Sequence, residues 1–354
     1  MKQINVNFFN RVGIKDRALF TRALAAMISA GLSLIKSLSI LAQQSQNKYF
    51  AKVIEGVIKK LEEGEGIAKS LSYYPDVFDK VYISSVRAAE SSGKFDEILK
   101  DLADQQEKEY KLNSSVKSAL AYPLFIVGAM IVVATILLVT VVPKIQSLFV
   151  ELDINMPITT RLLIGTSSFI RSYWYFLILI IIFLIIWVFY GLKTEKGREV
   201  YSKLQISTPV IKDLFKSVYM ARFCRIFSIL IGAGVPIVET VTLTGGVMDN
   251  VLYKNILVKI ADQVQKGIPM SVPLMEHSEF HPIVAQMVAV GEQTGKLDEI
   301  MGSLARFFDD ESAKKIGMTT ALLEPILLVI IGLGVGIIVF SIIMPIYQIS
   351  GGIK

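Results

Sequence analysis

GEQTGKL, from Gly291 to Leu297, places two glycines ahead of a lysine, close to the loop that cradles phosphates. That loop needs G-x-x-x-x-G-K followed by Ser or Thr. Here the first glycine comes one position late and Leu297 replaces the magnesium-binding hydroxyl, so nucleotide binding is not expected. His277 and His281 stand four apart, the spacing of a helical zinc pair. They are the only histidines, and Pro282 follows directly, so a surface loop is the better reading. Cys224 is the single cysteine, which rules out an intramolecular disulfide, and no Gly-x-Ser-x-Gly elbow accompanies it. No catalytic residue, cofactor or metal is expected.

The carboxylates are more telling. AAESSGKFDEIL, from Ala88, reappears as VGEQTGKLDEIM, from Val290. This selects Glu90, Gly93 and Asp96 in the first copy and Glu292, Gly295 and Asp298 in the second. Gly93 and Gly295 suit the left-handed position that ends a helix. Asp96, Glu97, Asp298 and Glu299 then fall in the first turn of the following helix, facing the positive end of its dipole. Phe95 and Leu297 can pin the corner. Glu90 and Glu292 sit in the last turn of a helix, the wrong end for a carboxylate. Two readings stand: an ordinary ion pair, or an interface or cation-binding carboxylate.

These motifs belong to a longer echo. Phe20-Thr21-Arg22 answers Phe223-Cys224-Arg225, AGLSL from Ala30 answers AGVPI from Ala233, and Gly66 answers Gly267. Pro123 answers Pro325, and Pro143 answers Pro345. The near-constant offset of about 200 residues marks an internal repeat.

The composition, 53% hydrophobic, is too apolar for an ordinary soluble protein. Three long uncharged runs explain it: Leu124 to Val142, Ser172 to Leu192, and the stretch from Pro325 onward. About 20 helical residues cross a bilayer core of about 30 Å. Two of the runs close the repeats. The middle one has no counterpart and is the return crossing that parallel copies need. Lys108, Lys111 and Lys117, then Lys193, Lys196, Arg198 and Lys203, then Arg306, Lys314 and Lys315 fall on one side; Lys144, Arg161, Arg171 and Lys354 fall on the other. The bias places both polar halves in the cytoplasm. No ionisable relay residue lies within the runs, which argues against an ion-coupled transporter. The net charge of +6 is dispersed, so no nucleic-acid partner is expected. The polar start, MKQINVNFFNRVGIKDR, carries no signal-peptide pattern.

The expected architecture is an all-α membrane protein with two homologous cytosolic helical bundles and three transmembrane helices. Its segments are a first cytosolic domain (1–121), a span (122–142), a short extracytoplasmic loop (143–171), a span (172–192), a second cytosolic domain (193–322), a span (323–345) and a tail (346–354). In the first half, Leu19, Ala23, Ala26, Ala30, Leu34 and Leu38 recur near helical spacing, and a further helix fits Tyr49 to Leu61. From Lys94 no stop appears before the first run, so one helix should extend from the motif into the membrane, kinked at Pro123 where it meets the bilayer. Pro325 repeats that arrangement.

Taken together, AGLSL/AGVPI, GEG/QKG before a short helix, AESSGKFDEI/GEQTGKLDEI, Tyr122-Pro123, Glu324-Pro325 and MPIYQ at 344–348 resemble the type II secretion system F family. These are the inner-membrane platform proteins of secretion systems and type IV pili. The match covers nearly the whole chain in order, with Ala89 standing where the family usually has Gly. The resemblance implies a non-enzymatic, multi-pass inner-membrane protein working as a homo-oligomer. Its implied partners are a cytosolic hexameric assembly ATPase, pilin or pseudopilin subunits, and other inner-membrane assembly components. The alternative is a small-solute permease or channel built from parallel repeats, which three uncharged spans per chain disfavour.

Overall fold

The computed structural model describes residues 12–151, 158–192, 194–209 and 211–352, and every regular element among them is a helix. The first copy of the repeat comprises α1 (Ile14–Ser29), α2 (Leu34–Gln44), α3 (Lys48–Glu62), α4 (Ile67–Ser72), α5 (Lys80–Ser92) and α6 (Phe95–Glu151). Two helices follow before the second copy, α7 (Ile158–Gly191) and α8 (Glu195–Ser207). The second copy comprises α9 (Lys212–Gly232), α10 (Ile237–Gly246), α11 (Val251–Gln265), α12 (Ser271–Glu276), α13 (Pro282–Thr294) and α14 (Leu297–Gly352).

Equivalent local signals start and stop the paired helices. Asn47 caps α3 by accepting from the amides of Tyr49 and Phe50, and Asn250 caps α11 by accepting from that of Leu252. Gly31 and Gly234 take φ values of 84° and 88° where α1 and α9 end. Gly64 and Gly267 do the same after α3 and α11, at 88° and 85°. This corrects the register read from sequence. Gly267 answers Gly64, not Gly66, whose φ is −67°.

The chain divides into two units. One combines the residues up to Ser115 with Glu199–Lys315; the other combines Val116–Arg198 with Ile316–Lys354. The polar parts of both copies therefore share one compact unit, and α9 joins them. It turns Phe223, Cys224 and Phe227 into its own copy's core, with Tyr253, Phe280 and Phe308. Its other side contributes Ile226, Ile229, Leu230 and Ala233 to the first copy's core, beside Phe20, Phe50 and Phe78. Apolar residues on both of these sides suit burial between two layers. The inward face of α1 differs from the one expected. Phe20, Thr21, Leu24 and Ala25 are buried, whereas Leu19 is 60% exposed and Ala26 faces out.

In the other unit the apolar side chains point outward: Phe125 is 72% exposed and Leu333 64%. Water could not solvate such a surface cheaply, and lipid can. Among the described residues, Phe95–Lys144 and Leu297–Ile337 are long and apolar enough to cross a membrane. The expected middle crossing falls on α7, a helix of 34 residues whose Tyr173 departs from helical geometry at φ −121°, ψ 20°. Ser167 Oγ donates to the Leu138 carbonyl at 2.5 Å, tying α7 to α6.

The 57 residues of α6 make a helix about 85 Å long, and the 56 of α14 one nearly as long. Pro123 and Pro143 both lie inside α6. The helix thus passes the proline expected to end the first run, since a proline removes one amide donor while the turns on either side keep theirs. The stretch read as a short loop, 143–171, is helical on both sides of 152–157; those six residues, Lys193 and Lys354 lie outside the described residues.

Candidate functional site

The repeated motif folds as a helix–glycine–helix corner. Gly93 ends α5 at φ 73°, and Gly295 ends α13 at φ 71°, both left-handed. Their amides donate to the carbonyls of Ala89 and Gly291, four residues back. Asp96 and Glu97 occupy the first turn of α6, and Asp298 and Glu299 that of α14, as their spacing predicts. Phe95 packs on the first core and Leu297 on the second. A methyl group at Gly291 would lie 2.7 Å from Leu297 Cδ2 and 3.2 Å from its Cα. Ala89 is fully buried at the equivalent place in the first copy, where Phe95 stands instead of Leu297.

Glu90 and Glu292 do something that neither sequence reading anticipated. Each carboxylate reaches the start of a neighbouring short helix. Glu90 accepts from the amides of Ile67 at 3.2 Å and Ala68 at 3.4 Å, the first two residues of α4. Glu292 accepts from the amides of Met270 at 2.5 Å and Ser271 at 3.3 Å, and from Ser271 Oγ at 2.6 Å, at the start of α12. The first amides of a helix have no partner within it, and the dipole there favours negative charge. A residue at the wrong end of its own helix is thus at the right end of another. Among the described residues, neither glutamate takes part in an ion pair. A signal was present in the sequence: Gly66 and Pro269 precede helices for which they supply no capping side chain, and each copy places a glutamate downstream.

Arginine–carboxylate pairs set the next layer. Arg22 Nε bonds Glu107 at 2.7 Å and its other nitrogen reaches Asp104, both on α6. Arg225, its repeat counterpart, bonds Asp309 on α14. The hydrogen bond from Arg22 holds the Glu107 carboxyl below its ordinary pKa. Two further pairs run between the copies. Lys108 meets Asp309 at 3.0 Å, and Arg222 meets Glu109 at 2.7 Å while also reaching Asp249. Each long helix is therefore bonded to its own copy's first helix, and α6 is bonded to the second copy as well. Asp298 contributes through its backbone, its carbonyl accepting from Ser228 Oγ at 2.7 Å.

The remaining reactive residues are structural. Cys224 is fully buried, and burial pushes its thiol up, away from the nucleophilic thiolate. His281 caps α13, its Nδ1 accepting from the Ile283 amide at 3.4 Å, and His277 ends α12. No cluster of three His, Cys, Asp or Glu side chains could hold a metal among the described residues. Pro123 lies within α6, and Pro325 within α14, at the start of the apolar run.

Two stretches of the chain, 20–143 and 223–345, match the family model described as "Type II secretion system (T2SS), protein F". They begin at the phenylalanines of the two Phe-x-Arg motifs and end at the second proline of each pair. The chain belongs to the type II secretion system F family. It is 35% identical over 343 residues to the type IV pilus assembly protein PilC of Thermus thermophilus, covering 96% of this chain and 84% of that protein. With PilC of Myxococcus xanthus the identity is 33% over 351 residues, covering 99% and 84%. With type II secretion system protein F of Aeromonas hydrophila it is 32% over 346 residues, covering 98% and 89%. The matched stretches include both helix–glycine–helix corners as well as Pro123 and Pro325, while α7 and α8 fall outside them.

Proposed function

We propose that this F-family protein is the inner-membrane platform of a type IV pilus or type II secretion machine. It couples a cytosolic hexameric assembly ATPase to the insertion of pilin or pseudopilin subunits into a growing fibre. It has three spans, α7 being the return crossing, and both polar copies of the repeat face the cytosol. It acts as a homo-oligomer alongside other inner-membrane components and catalyses no reaction itself. The observation that carries this reading is the pair of long helices. In each copy one helix starts at a capped corner, is held by arginine–carboxylate pairs along its polar part, and continues into an apolar stretch. That is a mechanical connection between two solvents. Relatives named for pilus assembly and for type II secretion support the role, and the odd number of crossings follows from two parallel copies that share one polar unit.

Topology is the direct test. In intact cells, a membrane-impermeant thiol reagent is expected to label a cysteine placed at Asn155 and to spare cysteines at Lys48 and Asn255. Labelling at Asn255 from outside would overturn the three-span scheme. Steady solute flux through the protein in proteoliposomes would favour a permease instead.

A further inference from the structure

α8 buries polar side chains and exposes apolar ones, the reverse of an ordinary surface helix. Ser202 and Gln205 are 2% and 7% exposed, whereas Val200, Tyr201 and Leu204 are 58%, 48% and 55% exposed. The buried polar side is fastened. Asn250 Nδ2 donates to the Ser202 carbonyl and to Gln205 Oε1, each at 3.1 Å. Tyr219 OH donates to Gln205 Oε1 at 2.8 Å, and the Val251 amide donates to Ser202 Oγ at 3.1 Å. This clamp prevents α8 from rolling its apolar face inward.

The start of α8 is fixed against the end of α7. Only Leu192, Lys193 and Thr194 separate the two helices. Thr194 Oγ1 accepts from the Gly197 amide at 3.1 Å, and any Cβ at Gly197 would overlap the Gly191 carbonyl oxygen. At 100° per residue, Val200, Tyr201 and Leu204 share one face. Lys196 and Lys203 flank it on one side, both exposed; Lys203 also pairs with Glu199 at 2.8 Å. Long basic side chains beside an apolar face can reach up to phosphate groups while the face sinks below them. Tyrosine favours that same depth.

We propose that α8 lies flat in the cytosolic interface of the bilayer, with Val200, Tyr201 and Leu204 in the headgroup–acyl boundary. This rests on the reading of α7 as a crossing: its end then emerges at the membrane surface, and only three residues separate that end from α8. The partner is a lipid surface carrying anionic headgroups. The helix would fasten the polar unit to the membrane through the start of the second copy, independently of α6 and α14.

The test uses the full chain carrying Cys224→Ser, reconstituted in vesicles of phosphatidylethanolamine and phosphatidylglycerol. A nitroxide is attached at Leu204→Cys, at Lys259→Cys as an exposed reference on α11, and at Ile182→Cys within α7. Collision rates with oxygen and with a water-soluble nickel chelate are then compared. The expected result is a ratio of oxygen to nickel collisions several-fold higher at Leu204 than at Lys259. A ratio at Leu204 equal to that at Lys259 would overturn the proposal, and so would protection from both reagents, which means protein, such as a second copy, covers the face. Ile182 separates the two ideas. Lipid exposure there with an aqueous Leu204 refutes the interfacial helix alone, whereas an aqueous Ile182 refutes the α7 crossing, and the proposal with it.

Discussion

At Gly66 the space that a methyl group would need is already taken by the carboxylate of Glu90. The glycine and the glutamate therefore form one device: the residue at the N-cap gives up its side chain, and a side chain from α5 caps in its place. Glu90→Ala should cost about 1 kcal/mol, as losses of helix caps typically do. Gly66→Ala should cost a similar amount in the native background, because the carboxylate must leave its amides. In the Glu90→Ala background the three atoms nearest the added methyl are gone, so the two changes should be strongly non-additive. Thermal unfolding of the detergent-purified chain would measure this, and additive effects would show that Glu90 does not cap α4. Arg22 and Glu107 give a pH-dependent counterpart. Glu107 has its folded pKa lowered by the bond from Arg22. Its contribution is thus fully present above the ordinary carboxylate value of 4.5 and fades as pH falls through the lower folded value. Arg22→Met should flatten the acid limb of stability against pH over that window, and an unchanged limb would mean the pair contributes nothing there.

Among the elements, what could be read from sequence depended on whether the signal was local. The corner glycines, the acidic first turns and the uninterrupted long helices are properties of neighbouring residues, and they stand in the structure where their spacing puts them. The capping role of Glu90 and Glu292 joins residues more than twenty positions apart, and no periodicity records it. The face of α1 was misread for a related reason. Small alanines at helical spacing marked a stripe, but the burial is decided by Phe20, whose ring meets that of Phe50 on α3, and by Leu24 beside it in the first core. Least legible was the sharing of α9 between two cores, because its apolar residues are spread around the helix and point in no single direction. That sharing makes a prediction at this scale. Leu230 is fully buried and belongs to the first copy's core although it lies in the second copy. Leu230→Ala should cost about 2–5 kcal/mol through lost contacts and a residual cavity. Hydrogen exchange should report the loss in α3, around Val53 and Val57, as well as in α9. Full protection of α3 in the variant would mean that the two copies fold independently.

For the molecule as a whole, the question is what α6 and α14 carry between their polar and apolar parts. Arg22, Arg225, Lys108 and Arg222 hold the polar parts through ion pairs, and in both helices the apolar run opens at a proline. Pro123 and Pro325 leave the carbonyls of Ala119 and Ala321 without their usual amide donor, which makes each helix locally easier to bend. Near a membrane surface water can satisfy such a carbonyl, so the defect costs little stability. A bend at that point would let the polar part change direction without dragging the span sideways through lipid. Under the proposed role, motion delivered by the ATPase needs that compliance at the same depth in both copies, which accounts for the repetition of the proline along with the corner glycine. Pro123→Ala combined with Pro325→Ala should therefore leave expression and membrane insertion near normal while reducing fibre assembly or secretion in cells that depend on this chain. The single substitutions should have smaller effects, since one compliant helix remains. Wild-type assembly by the double variant would show that the prolines only mark where the apolar runs begin, and the two helices would then act as rigid anchors.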